Sequence, residues 1–315
     1  MLNSIISNRN HIVMCGIVGL FLKDKSLEPE LGRLLSQMLI TMTDRGPDSA
    51  GIAIYGAETP GLTKITVQSP QPQCDFAGLA ERLTIAAGVA ATVSIKDTHA
   101  VISVPESAVK AMCAALSVVA PTVRIMAVGS SVEIFKEVGL PKDVVDRFGL
   151  ASMAGSHGIG HTRMATESAV TTLGAHPFST GPDQCLVHNG SLSNHNNLRR
   201  ELKHGGVAFE TENDTEVAAA YLTAAMKGGK DLGAALQGAL RDLDGFFTFV
   251  VGTRSGFGVL RDPIACKPAV MAETDSYVAF GSEYRALVNL PGIETARIWE
   301  PEPATVYFWD HAKAA

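Results

Sequence analysis

Helical and strand-like segments are grouped along this chain rather than strictly alternating, and that grouping most constrains its fold. Gly158–Arg163 and Cys185–His188 read as short strands, Asp214–Met226 and Leu232–Leu243 as Ala-rich helices, and Phe246–Thr253, Gly256–Leu260 and Tyr277–Gly281 as buried strands. Nearer the start, the strand-like runs Cys15–Phe21 and Ala50–Tyr55 bracket a helix from about Glu28. On it Leu31, Leu34, Leu35, Met38, Leu39 and Met42 recur at helical spacing and predict one buried stripe. Grouped strands flanked by grouped helices suit antiparallel sheets stacked face to face with helices outside, a layered α+β arrangement.

The stretch from Thr63 to Ser156 is patterned as well. Thr84–Ile95, Ala100–Val104 and Val123–Val128 read as strands, and Ser103-Val104-Pro105-Glu106 has the spacing of a capping box opening a helix that bears Val109, Met112, Leu116 and Val119. An ordered α/β subdomain inserted at about residues 70–155 is the expectation.

Composition limits the function classes. A chain of 315 residues with 46% apolar content can bury a sizeable core in one large domain or two small ones. A net charge of −6, with no Lys/Arg run, argues against a nucleic-acid partner. The longest apolar stretches, Leu83–Ile95 and Ala108–Val123, are short or interrupted by Lys110 and Pro121, below the roughly 18 residues a membrane span needs. The first thirteen residues lack the organisation of a secretory signal, so the cytoplasm is the expected compartment. Cysteines at 15, 74, 113, 185 and 266 form no Cys-x-x-Cys pair, which supports neither a disulfide framework nor zinc.

Chemistry enters at Met14-Cys15-Gly16-Ile17. A cysteine behind a methionine can become amino-terminal, and its α-amine, with an ordinary pKa of about 7.7–8.0, can take the thiol proton near neutral pH. By itself Cys15 reads more often as a small buried hydrophobe. Four further segments accompany it: Arg45-Gly46-Pro47-Asp48-Ser49-Ala50-Gly51, Gly160-His161-Thr162-Arg163-Met164-Ala165-Thr166, Val187-His188-Asn189-Gly190 and Asn213-Asp214-Thr215-Glu216. In kind and in order, from Cys15 to about Tyr307, these resemble the class II glutamine amidotransferases.

That resemblance implies the four-layer αββα fold of amino-terminal nucleophile hydrolases over residues 15–310, with residues 1–14 a leader, a propeptide or a misassigned start. It also implies site roles. Cys15 would be the nucleophile, with Asn189 and Gly190 as the oxyanion hole. Arg163 would clamp the substrate carboxylate, a task suited to its planar donor fork. Asp214 would accept the substrate ammonium, and Thr166 and His176 would line the pocket. His161 and His188 would provide structural hydrogen bonds. Taken alone, Asn189-Gly190 is also a favoured hairpin turn, and Asn213 or Asp214 a helix cap. Met164 stands where many relatives have Trp or Tyr, and Glu167 where aminosugar-forming members have His, which argues against fructose 6-phosphate as acceptor.

The insertion and the segment Gly158–Ser168 look most like the stand-alone glutaminase subunits of glutamate synthase and N-methylglutamate synthase assemblies. No cofactor is expected in this chain. Its partners would be separate, flavin-bearing synthase subunits receiving the ammonia. Two other readings compete: another amino-terminal nucleophile amidase, disfavoured by paired grips for a zwitterion, and a non-catalytic glutamine-sensing or scaffolding subunit, disfavoured by Cys15, Asn189 and Gly190 together.

Overall fold

The computed structural model describes residues 14–164 and 169–311. In chain order the first half contains β1 (Gly16–Leu22), α1 (Leu31–Thr41), β2 (Ser49–Tyr55), β3 (Leu62–Gln68), α2 (Pro72–Asp75) and α3 (Leu79–Ala87). Then come β4 (Thr92–Lys96), β5 (His99–Pro105), α4 (Val109–Val119), β6 (Arg124–Gly129), β7 (Val132–Val138) and α5 (Pro141–Phe148). The second half contains β8 (His157–Arg163), β9 (Phe178–Gly181), β10 (Gln184–Leu192), α6 (His195–His204), α7 (Asp214–Lys227) and α8 (Leu232–Asp242). The chain closes with β11 (Gly245–Gly252), β12 (Gly256–Arg261), β13 (Val270–Glu273), β14 (Tyr277–Gly281), β15 (Arg297–Trp299) and β16 (Thr305–Asp310).

Two sheets form the centre: a seven-stranded one in the order β15-β13-β14-β1-β8-β2-β7 and a five-stranded one in the order β16-β12-β11-β10-β9. Strand β1 shows why they stack. Ile17 and Phe21 belong to the cluster shared with Val187, Val250 and Phe257 of the other sheet, whereas Val18, Leu20 and Leu22 pack with Leu35, Met38 and Leu39 of α1. Period-2 alternation with both faces apolar gives a strand buried on both sides. Gly19 keeps the sheets close, since a Cβ there would lie 2.8 Å from the Phe257 ring. A third cluster joins the five-stranded sheet to α7 and α8 through Leu186, Phe249, Leu222 and Leu236. Three apolar interfaces therefore separate four layers, helix, sheet, sheet and helix, as expected of the αββα fold. The predicted stripe on α1 is buried throughout, from Leu31 to Met42, and each such side chain contributes about 1.5–3 kcal/mol on leaving water.

A third sheet, β4-β5-β3-β6, carries its own core with α3 and α4, in which Leu83, Ile102, Met112 and Leu116 meet. Two local expectations are corrected here. The run Thr84–Ile95 is not one strand, because α3 continues to Ala87, Gly88 adopts a left-handed conformation at its end, and only Thr92–Lys96 is extended. The capping box is not formed either. Ser103 pairs within β5, and α4 starts at Val109 after a 3-10 turn without a side-chain cap. Sheet pairing of Ser103 with Lys64 takes the backbone that a cap would need. Among the described residues no helix is long and apolar enough to cross a membrane.

Candidate active site

Antiparallel pairing of β1 with β8 sets Gly16 opposite Thr162, so Cys15 and Arg163 come to the same end of the central sheet. The half-buried Cys15 thiol lies 3.8 Å from the carbonyl of Met164, the residue after Arg163. Its own carbonyl accepts two hydrogen bonds, from the Asn189 side-chain amide at 2.9 Å and from Arg45 Nε at 3.1 Å. Arg45, buried, is fixed in turn by Glu283 at 2.6 Å. These contacts hold the Cys15 peptide from two sides. Arg45 belongs to the Arg-Gly-Pro-Asp segment, and Gly46 beside it is required, because a Cβ there would lie 2.5 Å from the Thr162 backbone.

Asn189-Gly190 is not a hairpin turn. Both residues sit inside β10, Asn189 opposite Thr248 and Gly190 opposite Phe247. Gly190 has φ of +145°, and a Cβ there would stand 2.0 Å from the Phe246 carbonyl. Gly190→Ala therefore combines a strained backbone with a collision against backbone. The expected loss is about 3 kcal/mol or more, read as a lower urea midpoint; an unchanged midpoint would contradict this account.

At the start of α7 the two roles weighed for Asn213 and Asp214 separate. Asn213 caps the helix, its Oδ1 accepting from the Thr215 amide at 2.8 Å. Asp214 instead turns to β10 and accepts from the Leu192 amide at 2.9 Å. Burial pushes the Asp214 carboxyl up, but the nearby His188 ring and the Leu192 amide outweigh it and hold it at about 2. It is thus an anion at neutral pH. Glu216 shapes the turn before the helix, accepting from the amides of Glu210 and Thr211, both at 2.8 Å.

His176 lies beneath these groups, buried. Its Nε2 is 2.8 Å from the Thr215 hydroxyl and its Nδ1 3.3 Å from His161 Nδ1, while His188 Nδ1 is 3.0 Å from the same hydroxyl. Burial lowers His161 to about 3 and takes His176 well below its ordinary range, so these two rings are neutral. The expected structural role of His161 and His188 matches these contacts. Arg163 is buried, with Nη1 3.4 Å from the Ala169 carbonyl. Thr166 lies outside the described residues.

The structure thus brings Cys15, Asn189, Gly190, Arg163 and Asp214 to one end of the stacked sheets, with His176 behind. Sequence reading left three contributors unassigned: Arg45, Glu283 and Thr215. Arg45 and Thr215 fall within quoted motifs, whereas nothing local marks Glu283, which meets Arg45 across 238 positions of chain. Among the described residues no group of three His, Cys, Asp or Glu is placed to hold a metal.

Comparison with known proteins bears on the family. Residues 144–311 match the glutamine amidotransferase domain family. The glutamine amidotransferase-like protein GlxB of Rhizobium meliloti is 76% identical over 302 residues, which cover 96% of this chain and all of that protein. A putative glutamine amidotransferase of Methanothermobacter thermautotrophicus is 33% identical over 94% of this chain and its own full length. Among solved structures, the glutamine phosphoribosylpyrophosphate amidotransferase of B. subtilis superposes with a TM-score of 0.60 over 94% of this chain, at 19% identity. This chain spans 47% of that larger one, so the likeness concerns the fold alone. Four layers around a cysteine at a strand start, together with near full-length relatives, assign the chain to the class II glutamine amidotransferase family, enzymes acting on glutamine.

Proposed function

We propose that Cys15, once freed of the residues before it, hydrolyses glutamine through a thioester. The α-amine takes the thiol proton, the sulfur bonds to the side-chain carbonyl carbon, and the carbon–nitrogen bond breaks as ammonia leaves with a proton. Water then cleaves the sulfur–carbon bond to give glutamate and restore the thiol. Asn189 and Gly190 would stabilise the oxyanion of both tetrahedral states. Arg163 would pair with the substrate carboxylate and Asp214 with its ammonium, while Thr166 and His176 would shape the pocket between them. The observation that carries the reading is the fixing of the Cys15 peptide by Asn189 and Arg45 beside a buried Arg163 and an anionic Asp214.

The ammonia would pass to separate subunits bearing a flavin synthase domain, of the glutamate-synthase or N-methylglutamate-synthase type. Support for that destination is the resemblance of the Gly158–Ser168 segment and of the long stretch between β2 and β8 to such glutaminase subunits. Residues 70–155 would then act as an inserted subdomain used in docking.

One preparation tests both parts. A carboxy-terminally tagged chain purified from its native host should carry an intact mass that starts at Cys15 and copurify with a flavin-containing complex consuming glutamine. A chain retaining Met1 and lacking glutaminase activity would overturn the nucleophile assignment. An active chain recovered alone would overturn the partner.

A further inference from the structure

A cavity of about 530 Å³ is walled by β6, β9, the 205–211 loop and α7. That is the size of a small-molecule site, which typically occupies about 300–1,000 Å³. Its lining is mixed: Met126, Leu173 and Phe178 supply apolar surface, and Lys136 and Glu210 supply opposite charges.

Lys136 is the unusual member. It reaches in from β7, is 4% exposed, and stands 4.6 Å from the centre of the Phe178 ring. Its hydrogen bonds all go to backbone carbonyls, of Leu173 at 3.3 Å, Ala175 at 2.8 Å and Pro177 at 3.2 Å. Glu210 and Glu216 act on it only through space. Both oxygens of Glu216 are occupied by the Glu210 and Thr211 amides, which leaves the exposed Glu210 carboxylate as the free acceptor at the cavity. A buried cation is ordinarily paired with an anion. Here Lys136 and Glu210, two of the four charged residues lining the cavity with Glu216 and Lys227, share it without meeting.

We infer that this cavity binds a small zwitterion of the α-amino-acid class, its carboxylate toward Lys136 and its ammonium toward Glu210, at a site separate from that of Cys15. A ligand carboxylate would draw Lys136 from one of its three carbonyls. Two of these, Ala175 and Pro177, flank His176, which holds Thr215 next to Asp214. The occupant would therefore shift the KM for glutamine; that consequence, unlike the binding itself, rests on the reading of Asp214 given above.

The test is equilibrium dialysis of the full chain against the protein amino acids, each added separately at millimolar concentration, after alkylation of Cys15 with 6-diazo-5-oxo-norleucine. At least one should still bind, one per chain, and bind about tenfold or more weakly, a loss of about 1.4 kcal/mol, in Glu210→Gln and in Ala224→Trp. Ala224 lies exposed at the cavity on α7, so a Trp there fills the opening without entering the core. Lys136→Met should remove binding altogether. Absence of binding in the alkylated chain, or equal binding in Glu210→Gln and Ala224→Trp, would overturn the inference. Failure of the alkylation would count against the Cys15 assignment alone, and the same variants compared without alkylation would still decide the cavity.

Discussion

Cys15→Ala should lose glutamine hydrolysis by more than about 10⁴-fold, the scale on which removal of a covalent nucleophile acts. Its melting point should stay near that of the parent, because the side chain is only half-buried and its hydrogen bond to the Met164 carbonyl is a weak 3.8 Å sulfur contact. Asn189→Ala should lose about 10²–10³-fold in kcat, equal to about 2.7–4 kcal/mol of transition-state stabilisation. Asn189 also steadies the Cys15 carbonyl, so a fall in kcat with little change in KM is the pattern that separates a role in the transition state from one in substrate binding. Hydrolysis by Cys15→Ala within tenfold of the parent would sink the proposed mechanism.

Acid should destabilise the protein steeply. His99, His157 and His161 are buried, and burial is the first cause lowering each from 6.5 to about 3. Lys136 adds to the effect at His99, and the His188 ring at His161. Folded, each ring stays neutral; unfolded, each takes a proton below about pH 6.5. The unfolded chain therefore binds more protons between pH 6.5 and 3, so stability falls as pH drops through that window and is fully present above it. At pH 5 the loss is about 2 kcal/mol for each ring and at most about 6 kcal/mol for the three, comparable with the whole stability of an ordinary domain. His99→Phe isolates one contribution. His99 packs edge-on against Phe148, 4.8 Å between ring centres; its Nε2 has no hydrogen-bond partner among the described residues, and its 3.1 Å contact with the Thr98 hydroxyl through Nδ1 is lost in the Phe variant at both pH values. That variant should lose about 2 kcal/mol less than the parent between pH 7 and 5, measured by urea unfolding at both pH values. An unchanged difference would exclude His99 as a contributor.

Much of this protein was legible in one dimension because its signals are local. The α1 stripe from Leu31 to Met42 repeats at the helical period, and β1 is apolar on both faces, so element type and burial followed from periodicity alone. The five motifs also preserved their order, which carried the family before any contact was known. Where neighbouring elements compete for the same residues, local reading failed. Thr84–Ile95 is apolar enough for a strand, yet α3 claims its first half because Leu79 and Leu83 bury against Met112 and Leu116 of α4. Ser103 has a capping partner in sequence, but the β3–β5 ladder pairs its backbone first.

The sequence by itself determined the layered class, from residue type and periodicity, and its likeness to the family named the proposed companions of Cys15. Only the tertiary structure decided how they act on one another. Asn189-Gly190 reads as a turn until β10 and β11 pair and hold it extended; Arg45 reads as part of a turn until β1 brings the Cys15 carbonyl to it and Glu283 closes from the far end of the chain. Lys136 is marked by nothing in the sequence, and the fold buries it against three carbonyls and a cavity. The physical reason is common to all three: hydrogen-bond partners and burial are pairwise properties of groups distant in sequence, and only a folded backbone sets which groups meet.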